Sequence, residues 1–254
     1  MFGRELAEVY DLVYTARGQD FAAESADVVR IVRDARPGAA SLLDVGCGTA
    51  EHLRHLVPAF DHVEGVDLSA DMLAVGRRKL PDVPLHHADM RDLRLGRCFD
   101  AVISLSTAVA YLPSRADLAR ALTAMAAHAT PGGVLVVEPW YFPENFLDGH
   151  VAGDALRVGP VTVTRLSHTR GLGGAARIVS HYAVADASGI EHFTETQDFG
   201  LWTREEYLAA FRVAGCTARY LPDVQSGRGV FVARHRTAPA GVPAQNSGQH
   251  PRPA

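Results

Sequence analysis

Five short apolar runs, separated by stretches with a helical repeat, organise the first half of the chain. SLLDV (41–45), HVEGVD (62–67), PLHHADM (84–90), FDAVISL (99–105) and GVLVVEP (133–139) read as strands. Between and before them, residues 20–36 read as a helix that starts near Asp20 and stops at Pro37-Gly38. A second helix runs through His52–Val57, and Ser69 caps a third that continues to about Leu80. Ser114 and Asp117 resemble a capping box for a fourth over 115–129, ended by Thr-Pro-Gly-Gly. Strands alternating with helices predict an α/β fold built on a doubly wound, mostly parallel sheet.

Between residues 154 and 201 the pattern changes. VTVTRLSHTR, a GLGG turn, ARIVSHYAVAD, an SG turn and IEHFTETQDFGLW follow one another with no helical segment between them. Long alternating strands joined by Gly turns predict an antiparallel sheet inserted into the core, placed as a lid or substrate wall. Thr203 and Glu206 make a second capping box for a helix through Ala214, and strands at 217–221 and 229–234 are expected to close the core sheet. The tail from about His235, rich in Pro, Gly, Ser and Gln, is expected to be disordered. There is no internal repeat.

Bulk composition narrows the function classes. A hydrophobic fraction of 47% and a charged fraction of 21% suit a soluble globule. The net charge of −4 offers no electrostatic case for nucleic acid or an anionic membrane. MFGRELAEVYD lacks the apolar core of a signal peptide, and no apolar run approaches the roughly 18 residues of a membrane helix. Cys47, Cys98 and Cys216 are odd in number and far apart, as in reduced thiols of a cytoplasmic protein. Lys79 is the only lysine, a bias of composition rather than a chemical signal.

Chemistry enters with LLDVGCGTAE (42–51), where an apolar strand ends in Asp44 and breaks into a loop with Gly46 and Gly48. A dinucleotide fingerprint would place its third glycine at position 51, which is Glu51, so the nicotinamide and flavin reading fails. Ligands of open α/β sheets sit at the carboxyl ends of the strands. The second strand ends in Asp67, about 20 residues past the glycines, a spacing suited to ribose hydroxyls. Asp89 and Met90 end the third strand, where they can pair an adenine amino group and pack on its ring, while Leu68 and Met72 can cover the other face.

These features in this order resemble the class I S-adenosylmethionine methyltransferases. Asp44, Gly46, Cys47 and Gly48 fall on that family's loop motif; Ala50 departs from it, standing where the family usually has glycine. The added methyl group and the preference of alanine for negative φ predict a slightly shifted loop. A closer resemblance covers residues 2 to 234. YDLVYTARGQDF, HLRHL, VEGVDLSADMLAVGRRKLP, HADMRDL, PGGVLVVEPWYFPENFLDG, VTVTRLSH and SGRGVF look like the nucleoside-diphosphate amino-sugar N,N-dimethyltransferases. That resemblance implies a dimethylamino sugar still attached to dTDP, made for antibiotic biosynthesis, with S-adenosylmethionine as cofactor and a possible homodimer. The chain then divides into a cofactor-binding α/β core with an N-terminal helical segment (1–145), the insertion (146–201), a C-terminal helix and strands completing the sheet (202–234), and the tail (235–254).

Methyl transfer to an amine needs a neutral lone pair aligned with the sulfonium, so alignment and desolvation weigh more than a strong base. Phe2, Tyr10, Tyr14, Tyr111, Trp140, Tyr141 and Phe142 lie in segments expected over the strand ends. Tyr10 and Tyr111 are the candidate catalytic residues; an ordinary phenol pKa near 10 assigns Tyr111 to orientation, with bulk water as the proton sink. Phe2, Tyr14 and Trp140 are candidate substrate contacts, and Arg228 is the candidate for the diphosphate, because a guanidinium forks onto phosphate oxygens. His168 and His181 lie in strands expected to face the substrate. No carboxylate or cysteine spacing joins His52, His55, His86 or His87 into a metal site. Two rival readings remain at this level: a methyltransferase for a non-sugar natural product, and a non-enzymatic protein that keeps only the fold.

Overall fold

The computed structural model describes residues 3–225 and 227–235. Its central sheet holds seven strands in the order β10-β11-β5-β4-β1-β2-β3. These are β1 (Ser41–Val45), β2 (His62–Asp67), β3 (Leu85–His87), β4 (Phe99–Ser104), β5 (Ala129–Val137), β10 (Cys216–Leu221) and β11 (Val230–His235). β1 to β5 pair in parallel, and β11 runs antiparallel to both β5 and β10. The central strands are mostly apolar because helices cover both faces, with Asp44, Glu64 and Ser104 as buried exceptions. Leu43, Val102 and Leu135 enter one apolar layer, with Leu118, Leu122 and Met125 of α5 (Arg115–Ala127) and Phe211 of α6 (Arg204–Val213). Their neighbours Leu42, Ala101 and Val134 enter the opposite layer, with Ile31 and Val32 of α2 (Phe21–Ala35), Leu53 of α3 (Glu51–Leu56) and Leu73 of α4 (Ala70–Lys79). The order reverses between β1 and β4, so the β1 and β4 loops open onto one crevice.

Capping chemistry sets several helix starts. Asp20 accepts from Ala23 N, Ser69 from Met72 N, and Thr203 with Glu206 forms the full reciprocal box of α6. At α5 the box is only half made: Ser114 accepts from Asp117 N at 3.1 Å, but the Asp117 carboxylate takes the Ser114 hydroxyl at 2.6 Å. α5 stops at Ala127, two residues short of the sequence reading, and β5 begins at Ala129. The Thr-Pro-Gly-Gly stretch is thereby absorbed into the strand as an irregularity, pairing Phe99 with Ala129 and then Ala101 with Val134. Gly132, at φ +74°, turns the chain there. β3 keeps only Leu85–His87, because Ala88–Met90 peel away as a loop at the site.

The inserted sheet has four antiparallel strands, β6 (Val151–Val158), β7 (Val161–Gly171), β8 (Ala175–Asp186) and β9 (Gly189–Gly200), in sequential order. β6 is an additional strand ahead of the alternation legible in the sequence. On β7 the alternation is strict: Val163, Arg165, Ser167 and Thr169 are buried, whereas Thr164, Leu166, His168 and Arg170 are exposed. α1 (Arg4–Ala16) is the N-terminal helical segment, and its Leu6 and Val13 pack with Val163 and Tyr182 of the inserted sheet. Lys79, from α4, ties this helix to the core, reaching Asp11 at 2.5 Å and Glu51 at 2.8 Å. The sole lysine therefore has a defined structural role that composition did not reveal. Cys98 is exposed; Cys47 and Cys216 are buried, and none of the three is in a disulfide. Among the described residues no helix is long and apolar enough to cross a membrane. Phe2 and residues 236–254 lie outside the described residues, while His235 ends β11.

Candidate active site

The turn after β1 sets the geometry. Gly46 N and Cys47 N donate to Val66 O at 2.7 and 2.9 Å, which folds the loop back over the end of β2. Gly46 sits at φ +84°, and a Cβ there would lie 2.5 Å from Ala108 Cβ. Gly48, at φ +55°, has open space where its Cβ would be. Ala50 is also left-handed, at φ 62° and ψ 26°, a conformation that glycine adopts at less cost than alanine.

The loop borders a cavity of about 530 Å³ that Gly46, Gly48, Asp67, Leu68, Met72, Asp89 and Met90 all line. Asp67 accepts from Gly48 N at 2.8 Å and Ser69 N at 2.7 Å. A carboxylate has about four lone-pair positions, so these bonds leave acceptor capacity for a diol. Burial nevertheless raises the Asp67 pKa, against the pull of those backbone donors. Asp89 is forked by Arg91, with Nε at 3.0 Å from both carboxylate oxygens, which holds its pKa low. Arg91 also lines the cavity. No sequence signal marks Arg91, because its role appears only once β3 ends early and the chain turns.

Asp44 and Cys47 are not among the residues lining the cavity. Asp44 is 2% exposed, and its Oδ1 makes no hydrogen bond among the described residues. Burial pushes its pKa up to about 7, with Asp67 adding repulsion and His52 opposing. Its carboxyl therefore retains a proton over part of the neutral range and sits beneath the loop. The Cys47 thiol, raised well above its usual value by burial, packs under the loop beside Gly65.

A second cavity, about 440 Å³, adjoins the first. Tyr10, Ser106, Tyr111 and Gln197 line both, so the two chambers meet at these side chains. Tyr14, Trp140, Tyr141 and Arg228 line the second chamber, as the sequence suggested. Its aromatic wall is continuous: Trp140 stacks on Phe199 at 4.4 Å, and Tyr111 meets Phe199 at 4.5 Å. Tyr10 and Tyr14 are 4.3 Å apart on α1, and Thr49 of the glycine loop donates to Asp11 of the same helix at 2.5 Å. Burial first, then neighbouring tyrosines, raise the pKa values of Tyr10 and Tyr111 well above the ordinary phenol value. Both phenols thus stay protonated at neutral pH.

Two expectations need correction. Phe142 is 1% exposed and belongs to the core, edge-on to Tyr207, Tyr220 and Phe231, because the chain turns inward after Tyr141. His168 and His181 lie on the exposed outer face of the inserted sheet, since strand alternation gives the inward positions to their neighbours. Arg228 is also less free than a solvated hairpin arginine. Its Nε donates to Glu138 Oε1 at 2.6 Å, and Glu138 is fully buried. Burial raises the Glu138 pKa, and Arg228 opposes that rise.

Nothing in EPWYFPENF sets Glu138 apart, because its role rests on Ser106 and Arg228, far away in sequence. Its other oxygen accepts from Ser106 N at 2.7 Å. Ser106 and Thr107, at φ 46° and 60°, form a strained turn after β4 where the two chambers join. Gln19 donates to both Ser106 Oγ (3.2 Å) and Glu24 (2.9 Å), and Glu24 pairs with buried His52 at 2.9 Å. Ser106 and Gln197 are the junction residues that no sequence motif marked.

Ala50→Gly tests the loop. Leaving the left-handed region to a residue without Cβ returns about 1–2 kcal/mol. Greater freedom of the unfolded chain costs about 0.4–1 kcal/mol and the lost buried methyl about 0.8 kcal/mol. The terms nearly cancel, so denaturant unfolding is expected to change by less than about 1 kcal/mol, with activity retained. A large loss of activity would show that the loop depends on the alanine side chain.

Comparison with known proteins agrees with this geometry. Residues 42–133 match the family described as "Methyltransferase domain". The chain is 50% identical over 231 residues to the dTDP-3-amino-3,6-dideoxy-alpha-D-glucopyranose N,N-dimethyltransferase of Streptomyces fradiae, covering 91% of each chain. It is 46% identical to the dTDP-3-amino-3,4,6-trideoxy-alpha-D-glucopyranose N,N-dimethyltransferase of Streptomyces venezuelae, covering 96% of this chain and all of that one. Among solved structures, an S-adenosylmethionine-bound amino pentose methyltransferase of Micromonospora echinaspora, involved in calicheamicin biosynthesis, superposes with a TM-score of 0.83 at 48% identity. The match covers 89% of this chain and 96% of that one. On this combination of sequence, sheet order and site, the chain belongs to the dTDP-amino-sugar N,N-dimethyltransferases, within the S-adenosylmethionine-dependent class I methyltransferases.

Proposed function

We propose that this enzyme methylates the amino group of a dTDP-linked amino deoxysugar, carrying it to the dimethylamine, in antibiotic sugar biosynthesis. The observation that carries this reading is the pair of chambers joined at Tyr10, Ser106, Tyr111 and Gln197. The glycine-loop chamber has the features S-adenosylmethionine requires: open space at Gly48, a carboxylate with spare acceptor capacity at Asp67, and apolar cover from Leu68, Met72 and Met90. Asp89 is assigned to the adenine end, its charge shared with Arg91, while Asp44 and Cys47 support the loop from beneath. When bound, S-adenosylmethionine supplies an electrophilic methyl group on a sulfonium.

The protein's own groups then have three tasks. Trp140, Phe199 and Tyr14 wall the second chamber and keep water from the reacting amine. Tyr10 and Tyr111, protonated and placed at the junction, orient the amine by hydrogen bonding rather than by taking its proton. The proton leaves to solvent from the ammonium product. The arginine-bearing end of the second chamber suits the substrate's diphosphate. This reading divides the chain into a cofactor core and a substrate wall formed by the insertion, in a cytoplasmic enzyme with its thiols reduced.

Asp67→Ala is expected to weaken S-adenosylmethionine binding by about 1–3 kcal/mol, the scale of lost hydrogen bonds to a charged acceptor. Calorimetric titration with unchanged affinity would remove Asp67 from the ribose site. The two-chamber reading itself is tested by titrating dTDP into the protein saturated with S-adenosylhomocysteine. Binding of both together is expected; mutual exclusion would mean that one chamber serves both molecules and would overturn the assignment.

A further inference from the structure

Of the four side chains at which the chambers meet, Ser106 and Gln197 carry the stronger neutral acceptors. The phenol oxygens of Tyr10 and Tyr111 accept less well, because a lone pair is drawn into the ring. Both acceptors are held from outside the junction. Ser106, in the left-handed turn after β4, is fixed by its N–H on buried Glu138 at 2.7 Å. Its hydroxyl oxygen accepts from Gln19 at 3.2 Å, and the same Gln19 amide donates at 2.9 Å to Glu24, the partner of buried His52. One Ser106 lone pair is thus occupied and one remains for a ligand. Gln197 comes from the inserted sheet, sharing the inward face of β9 with Glu195 and Phe199. Glu195 accepts from Gly3 N at the start of α1 at 3.3 Å, and Phe199 stacks on Trp140, so the strand is anchored on both sides of Gln197. The Gln197 side chain itself makes no hydrogen bond among the described residues.

We infer that Ser106 Oγ and Gln197 Oε1 each accept one N–H of the substrate's primary amine, turning its lone pair toward the methyl donor, and that Gln19 is a positioning residue for Ser106. In each round the amine lone pair closes an N–C bond as the methyl leaves sulfur, whose bonding pair stays behind. The resulting ammonium gives one proton to solvent before the next round. Nitrogen gains positive charge in the transition state, so its hydrogens become stronger donors there than in the bound amine, and the two acceptors act on rate more than on binding. The primary amine has two N–H groups and uses both acceptors. The monomethyl amine has one, which either acceptor can take while the methyl group occupies the other position. The inference rests on the amino-sugar reading above.

The test takes the dTDP-amino sugar that wild type methylates fastest, and its N-monomethyl form, as separate substrates for Ser106→Ala, Gln197→Met and the double variant. Each single variant is expected to lower kcat for the primary amine about tenfold, the scale of one hydrogen bond to a charged donor, and for the monomethyl amine by less than about threefold. The double variant should slow both substrates at least tenfold, because no acceptor is left for the last N–H. Gln19→Met should move the same ratio in the direction of Ser106→Ala, by less. Calorimetric affinity for the amino sugar in the presence of S-adenosylhomocysteine, and the melting temperature, should stay near wild type. Single variants that slow both substrates equally, or neither, would overturn the inference, since a merely structural side chain does not distinguish the two amines. A loss confined to substrate affinity would overturn it as well, because that describes an ordinary binding contact. A wild type that methylates no dTDP-amino sugar would overturn the amino-sugar reading and this inference with it.

Discussion

Glu138→Ala is expected to lower stability by about 3 kcal/mol and to reduce turnover at saturating concentrations of both substrates. Removing one partner of a buried ion pair costs about 3–5 kcal/mol when the other charge is left stranded. Here the lower end applies, because the Arg228 side chain is 28% exposed and can recover hydration. The second consequence is local. Ser106 N loses its 2.7 Å acceptor, and two successive left-handed residues, each costing about 1–2 kcal/mol, lose the bond that holds them there. Ser106 lines both chambers, so its relaxation should misplace the junction and reach kcat rather than KM alone. Chemical denaturation paired with steady-state kinetics checks both parts. Wild-type stability would mean that the Arg228–Glu138 pair contributes nothing net, and unchanged kcat would mean that the strained turn holds itself.

Gly46→Ala should be nearly as damaging, and for a different reason. A left-handed alanine costs about 1–2 kcal/mol. Overpacking adds about 1–3 kcal/mol, because the new Cβ would sit 2.5 Å from Ala108 Cβ, and a methyl group directly on the backbone has no rotamer with which to yield. The loop and the turn carrying Ala108 must separate, so stability should fall by about 3 kcal/mol and S-adenosylmethionine affinity with it. Gly48→Ala is the informative contrast. Its Cβ meets nothing within 4 Å, so only the backbone term near 1–2 kcal/mol applies to stability, whereas cofactor affinity should still fall as the methyl enters the chamber. Equal stability loss in the two variants would refute the packing argument.

These two glycines show what the sequence made legible. Strand-end positions were readable because the apolar runs are short, mostly buried in β1 and β2, and end where hydrophobicity ends; Asp67 closes β2, whereas Asp89 lies in the loop two residues past the end of β3. Ser106, Glu138 and Gln197 were not readable, since their importance comes from the meeting of β4, β5 and β9 across long sequence separations. The inserted sheet gave its alternation but not its facing. His168 and His181 carry the more suggestive chemistry, yet period 2 places Arg165, Ser167 and Thr169 inward once Val163 packs on α1. One inward side chain would have fixed the whole strand. Arg228 was legible as a cation near the site, but the buried carboxylate that claims it lies 90 positions away.

The measurement closest to the central claim is product analysis on the purified protein. Incubated with S-adenosylmethionine and the dTDP-3-amino or dTDP-4-amino sugars on which its relatives act, it is expected to yield a product heavier by one and then two methyl groups. Both methyl groups should reside on the sugar nitrogen by NMR, with the dTDP intact. Methyl groups on a hydroxyl or carboxylate, or turnover of a phenol with every dTDP-amino sugar left unchanged, would contradict the account.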